Sequence, residues 1–65
     1  MYRFEEVVER ARLYLLGIPG VAGVSGSGGV IRVYVESEEV AMRVPKEFMG
    51  YPVVTIVIGR FRLYG

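Results

Sequence analysis

Residues 21–36 decide the fold, and they read Val-Ala-Gly-Val-Ser-Gly-Ser-Gly-Gly-Val-Ile-Arg-Val-Tyr-Val-Glu. Two β-prone segments, residues 21–25 and 30–36, flank a glycine-rich turn at 26–29, which is the pattern of a β-hairpin. Side chains alternate between the faces of a strand, so one face of the second segment is predicted to be core. That face carries Ile31, Val33 and Val35, while the other carries Val30, Arg32, Tyr34 and Glu36.

An amphipathic helix is predicted before the hairpin, over residues 3–16. Its apolar residues recur at three- and four-residue spacing and form one stripe: Phe4, Val7, Val8, Ala11, Tyr14 and Leu15. Gly17 and Pro19 end the helix. Leu13 and Leu16 lie off the stripe, and two such leucines on one small helix favour a second contact surface.

A shorter helix and a long strand are predicted after the hairpin. Ser37 is expected to cap a helix over residues 38–43, and residues 46–49 to add one helical turn after Pro45. The last strand opens at residues 51–52 and runs from Val53 to about Leu63, with a bulge or bend at Gly59. One face of it carries Val53, Thr55 and Val57, and the other carries Val54, Ile56 and Ile58.

These elements predict a single small domain, residues 1–65, of the α+β class in the order α-β-β-α-β. The expected architecture is a two-layer sandwich of truncated ferredoxin-like form, with one long helix on one face of a three-stranded sheet. About fifteen residues separate the second and third strands, which is long enough for a parallel return.

Composition excludes several kinds of chemistry. The chain has no His and no Cys, so one chain holds no zinc site of the usual ligands, no disulfide, no thiolate nucleophile and no Ser-His-Asp triad. We therefore expect a non-enzymatic protein without a metal or other cofactor. The glycines of residues 20–29 lie between two strands and not before a helix, which favours a flexible turn over a phosphate-binding loop. Glu36, Glu38 and Glu39 are interpreted as solvated, helix-capping carboxylates.

The environment expected for this chain is the cytoplasm. No run approaches the roughly 20 apolar residues of a membrane span, and Glu5 and Glu6 stand where a signal peptide would be basic and then apolar. Seven Arg to one Lys, with no Asn, Gln or Cys, suggests a hot habitat, because amides and thiols are heat-labile.

From Leu16 onward, Gly, Pro and β-branched residues follow a recognisable order. The matching segments are Ile18-Pro19-Gly20-Val21-Ala22-Gly23-Val24, Ile31-Arg32-Val33-Tyr34-Val35, Val44-Pro45, Gly50-Tyr51-Pro52-Val53 and Gly59-Arg60-Phe61. This order resembles a short uncharacterised prokaryotic module that occurs alone or beside trypsin-like peptidase domains. The resemblance implies a shared fold and no catalytic residues. The Pro-Gly-Val-x-x-Val portion is also similar to heavy-metal-associated domains, whose Cys-x-x-Cys and first strand are absent here, so metal carriage does not follow.

Two functions are favoured, and a small-ligand or enzyme role, which would require a shared site at a subunit boundary, ranks third. The first is a non-enzymatic interaction or assembly module, with a second copy or another protein as its partner. Because one helix covers one face of a three-stranded sheet, the other face would stay apolar and exposed, which favours a homodimer. The candidate interface is Leu13, Leu16, Val53, Val54, Thr55, Ile56, Val57 and Ile58.

The second function is single-stranded nucleic-acid binding through a basic and aromatic sheet face. Its candidate residues are Arg32, Tyr34, Arg60, Arg62 and Tyr64. A net charge of +1 argues against it, because nucleic-acid binders carry a strong positive field.

Overall fold

A computed structural model describes residues 2–59. The elements follow in the order α1 (Phe4–Leu15), β1 (Val21–Ser27), β2 (Val30–Val35), α2 (Glu38–Ala41), β3 (Glu47–Phe48) and β4 (Tyr51–Val57). The fold is therefore mixed α+β, as predicted. The sheet has four strands in the spatial order β1-β2-β4-β3, so the prediction of three strands was wrong.

The hairpin of β1 and β2 has a tighter turn than the sequence predicts. Gly26 pairs with Ile31 and Ser27 with Val30, so β1 extends two residues further than expected. The two-residue turn places Gly28 at φ +60° and Gly29 at φ +77°. Residues that carry a side chain rarely adopt such backbone angles, which explains why two consecutive glycines stand at this turn.

The pairing of β2 with β4 is parallel, which the length of the connection between them allows. Its register is unbroken from Ile31 opposite Val53 to Val35 opposite Val57. The ladder continues past β4, where the Ile58 amide donates to the Val35 carbonyl at 2.9 Å. Alternation then assigns each side chain of β4 to one face of the sheet.

The fourth strand comes from residues 46–49, where the sequence predicts a helical turn. Glu47 pairs with Pro52 and Phe48 with Tyr51, so this segment forms β3 and a second hairpin. The Val53 amide also donates to the Lys46 carbonyl at 2.9 Å. The edge of β4 supplies hydrogen bonds that a single helical turn lacks, and this tertiary contact overrides local helix propensity.

The core lies between the sheet and the two helices. The three β2 residues predicted to face it are each 0% exposed. The full buried set is Val7, Val8, Ala11, Leu15, Val24, Ile31, Val33, Val35, Val40, Val44 and Val53. Tyr14, predicted to lie on the buried stripe of α1, is instead 75% exposed, and its ring forms a T-shaped pair with that of Phe48, with 6.1 Å between the centroids.

The last strand is described as far as the bend predicted at Gly59. β4 stops at Val57, and Gly59 takes φ +75°, in agreement with the bend expected there. The predicted continuation of the strand to Leu63 lies outside the described residues.

Candidate interaction surface

The outer face of the sheet, turned away from α1, holds five of the ten candidate residues that lie within residues 2–59. Pairing places Val54 beside Arg32 and Ile56 beside Tyr34. The same alternation assigns Ile58 to the outer face. This face is thus apolar along β4, whereas along β2 it carries the guanidinium of Arg32 and the phenol of Tyr34.

Four apolar side chains of the β4 region are accessible to solvent, and we call them the β4 surface: Val54, Ile56, Val57 and Ile58. Val54 and Val57 are each 46% exposed and Ile58 is 51% exposed, while Ile56 is half-buried. Large apolar side chains side by side in solvent are typical of an interaction site.

Val57 is exposed although it points to the helix side of the sheet. Its partner Val35 is completely buried on that side. The difference arises because α1 packs mainly over β1, and α2 has only four residues. The helices therefore leave the end of β4 uncovered.

Two of the predicted interface residues on β4 do not belong to this surface. Val53 is 9% exposed and lies in the core, so its assignment to an interface was wrong. Its side chain points to the helix face and packs with the other buried residues there. Thr55, on the same face, is half-buried.

Leu13 and Leu16 form a separate candidate on α1. Leu13 is 83% exposed and Leu16 is 43% exposed, as expected for leucines off the core stripe. They lie on the helix and not on the outer sheet face, so the structure does not join them to the β4 surface.

Of the five residues predicted to bind nucleic acid, two lie in the part of the chain that the structure describes. Arg32 and Tyr34 share the outer face of β2, two positions apart. The Arg32 guanidinium donates to the Ser27 hydroxyl at 2.8 Å, which occupies part of its hydrogen-bonding capacity. Arg60, Arg62 and Tyr64 lie outside the described residues.

The carboxylates at the start of α2 are arranged as the sequence predicts. The Ser37 hydroxyl accepts a hydrogen bond from the Val40 amide at 3.3 Å and so caps the helix. Glu36, Glu38 and Glu39 are exposed. Within residues 2–59 no three acidic, His or Cys side chains come together as a metal site would require.

An apolar groove of about 460 Å³ runs between the end of α1 and the segment before β3. Its lining residues are Tyr14, Leu15, Gly17, Ile18, Pro45 and Phe48. Sequence reasoning missed the groove because its two walls are distant in the chain. Sequence reasoning also did not single out Met42, an exposed apolar side chain at the end of α2 (86% exposed). Its position two residues after Val40, the buried residue of that helix, is the signal that could have found it.

Comparison with protein-family models, with curated proteins and with solved structures gives no match to this chain. The resemblances to a prokaryotic module and to heavy-metal-associated domains stay predictions, as does the ferredoxin-like classification. In the part of the chain that the structure describes, neither helix has the length and apolar character needed to cross a bilayer.

Proposed function

We propose that this chain is a non-enzymatic assembly module that forms a homodimer through its β4 surface. The observation that carries the proposal is the exposure of Val54, Val57 and Ile58, at 46%, 46% and 51%, within five consecutive residues at the end of β4. Burying such side chains contributes roughly 25 cal/mol per Å² of apolar area removed from water.

Chain size supports the same proposal. A domain of this length buries only about 60% of the surface of its unfolded chain. The sequence offers no cysteine for a disulfide, and the buried side chains of residues 2–59 are all apolar and mostly small. A second copy would add buried apolar area where the two helices leave it exposed.

The test is solution mass by light scattering coupled to size exclusion. We expect twice the 7.3 kDa of one chain at micromolar concentration. Val54→Lys should give the mass of one chain, because a buried ammonium without a partner opposes association. Leu13→Lys, at a more exposed position on α1, is the matched control and should remain dimeric.

Two results would contradict the proposal. A single-chain mass for the unmodified protein at high micromolar concentration removes the dimer. Loss of the dimer in Leu13→Lys, with Val54→Lys unaffected, moves the interface to α1.

Single-stranded nucleic-acid binding remains the second candidate because Arg32 and Tyr34 lie on the same face of β2. The residues beside them on β1 are small. Gly23 lies beside Tyr34 in the β1–β2 pairing, and Ser25 lies beside Arg32. Aromatic rings beside cations on a sheet can stack bases and hold phosphates. Salt-dependent binding of single-stranded RNA, lost in Arg32→Glu, would support this function, and no binding at low salt would remove it.

A further inference from the structure

β4 has an open edge beyond its short pairing with β3. β3 pairs with only the first two residues of β4. The Val53 amide points to that side, since it donates to the Lys46 carbonyl, and the Ile58 amide points the other way, toward β2. Alternation therefore directs the N–H and C=O groups of Thr55 and Val57 to the open edge. No strand within residues 2–59 pairs with them.

The opposite edge of the sheet, on β1, is protected. The Arg12 side chain reaches over from α1, and its Nε donates to the Val24 carbonyl at 3.4 Å. A register shift between Val21 and Gly23 also bends this strand. Covered groups and bulges are the usual devices that prevent another strand from adding to an edge. Within residues 2–59, β4 has neither device after Val53.

The exposed side chains of β4 lie on both faces of the sheet. Val54 and Ile58 are on the outer face, whereas Val57 is on the helix face. A partner lying flat on the outer face would leave Val57 in water. A strand added along the edge would contact side chains on both faces.

We propose that two copies of this chain pair β4 with β4 in antiparallel fashion across a two-fold axis at Ile56. In this register Thr55 of each copy lies opposite Val57 of the other, and the two pairs satisfy the open N–H and C=O groups. The bond between Val53 and Lys46 stays intact. The four-stranded sheet of each copy then continues into the other.

The side chains of β4 suit an identical partner. The proposed register places Ile56 opposite Ile56 and Val54 opposite Ile58 on the outer face, and β-branched pairs of this kind stabilise adjacent strands. Residues 51–58 carry no charge, so two like copies meet without repulsion at the junction. A two-fold contact of one strand with itself is closed and does not propagate.

This inference rests on the proposed dimer, and disulfide trapping tests its geometry. The chain has no cysteine, so single-cysteine variants report only contacts between copies. Ile56→Cys should be trapped as a covalent dimer under mild oxidation, because directly opposite residues lie within disulfide reach. Val54→Cys is the matched control on the same face, since its two copies would stand about 14 Å apart along the strands. We expect trapping of Ile56→Cys to be at least about tenfold faster.

Mixing gives an independent check of the register. Equal amounts of Val54→Cys and Ile58→Cys should yield the mixed covalent dimer in preference to either self-linked product. Amide exchange at Thr55 and Val57 should be slow in the unmodified dimer and become fast on dilution to the monomer.

The outcomes separate the two proposals. A dimer in which Val54→Cys self-links as readily as Ile56→Cys, or in which the Thr55 and Val57 amides exchange freely, overturns the edge pairing and leaves the assembly module standing. A single-chain mass for the unmodified protein overturns both. A monomer with those amides protected would show that the edge is paired within one chain.

Discussion

Gly26 shows how one residue sets the distance between α1 and the sheet. The glycine belongs to β1, and a Cβ atom built on it would stand 2.4 Å from Cγ2 of Val8 and 3.0 Å from Cζ of Phe4. Val8 is stiff about its first side-chain torsion and is buried, so it has little room to move away. The missing side chain at Gly26 thus permits the close contact that seals one end of the core.

Gly26→Ala should lower the free energy of unfolding by about 1–3 kcal/mol, the usual cost of overpacking a filled site. Gly23→Ala is the matched control in the same strand, because its Cβ would meet only Tyr34, at an ordinary 3.7 Å. Chemical denaturation of both variants measures the difference. Equal stability of the two would show that α1 shifts freely over β1.

The β3–β4 hairpin is the element whose local sequence fits its conformation least. Its two-residue turn places Met49 at φ +52° and Gly50 at φ +88°. Glycine adopts such backbone angles at no steric cost, whereas in methionine the Cβ atom makes them unfavourable. The turn is stabilised by the pairing of Phe48 with Tyr51. The Tyr51 ring in turn packs against the Phe4 ring, with 5.0 Å between their centroids.

Met49→Asn should stabilise the protein by about 1 kcal/mol, because Asn-Gly is the favoured pair in turns with two positive φ angles. Met42→Asn serves as the control, since Met42 has φ −69° and Asn gains nothing there. Thermal and denaturant unfolding give the comparison. If Met49→Asn leaves stability unchanged or lowers it while Met42→Asn is neutral, the contacts of the Met49 side chain stabilise the protein by at least as much as its positive φ angle destabilises it.

At the scale of the whole molecule, the helices cover the sheet unequally. α1 packs mainly over β1, and the short α2 packs near β2 and β4. Val57 therefore stays exposed on the helix side of β4, beside Val54 and Ile58 on the outer face, while β1 has its edge bonded by Arg12. This asymmetry, and not the number of apolar residues, locates the proposed interface.

Composition of the whole chain leads to a prediction about chemistry. The purified protein should show no metal-independent esterase, peptidase or phosphatase activity, because the sequence lacks the imidazole, thiol and aspartate that usually activate nucleophiles. Turnover of chromogenic ester, peptide and phosphate substrates is the measurement. Activity that co-purifies with the chain and disappears in Ser25→Ala, on β1, would contradict it.

Local patterns were enough to predict much of this fold. The glycine-rich hairpin, the helix at residues 4–15, the Ser37 cap and the buried face of β2 all depend on periodicity and turn chemistry within a few residues. The two faces of β4 were readable for the same reason. Of the candidate surface, the sequence therefore predicted which β4 residues share a face.

Only the tertiary structure decided how those faces are covered. β3 exists because the edge of β4 offers hydrogen bonds to residues 46–48, and Tyr14 is exposed because α1 is turned toward β1. Val53 and Val57 occupy equivalent positions in the strand pattern, yet one is buried and the other is 46% exposed. Their difference depends on where distant helices end, and a local repeat carries no information about the position of a distant element.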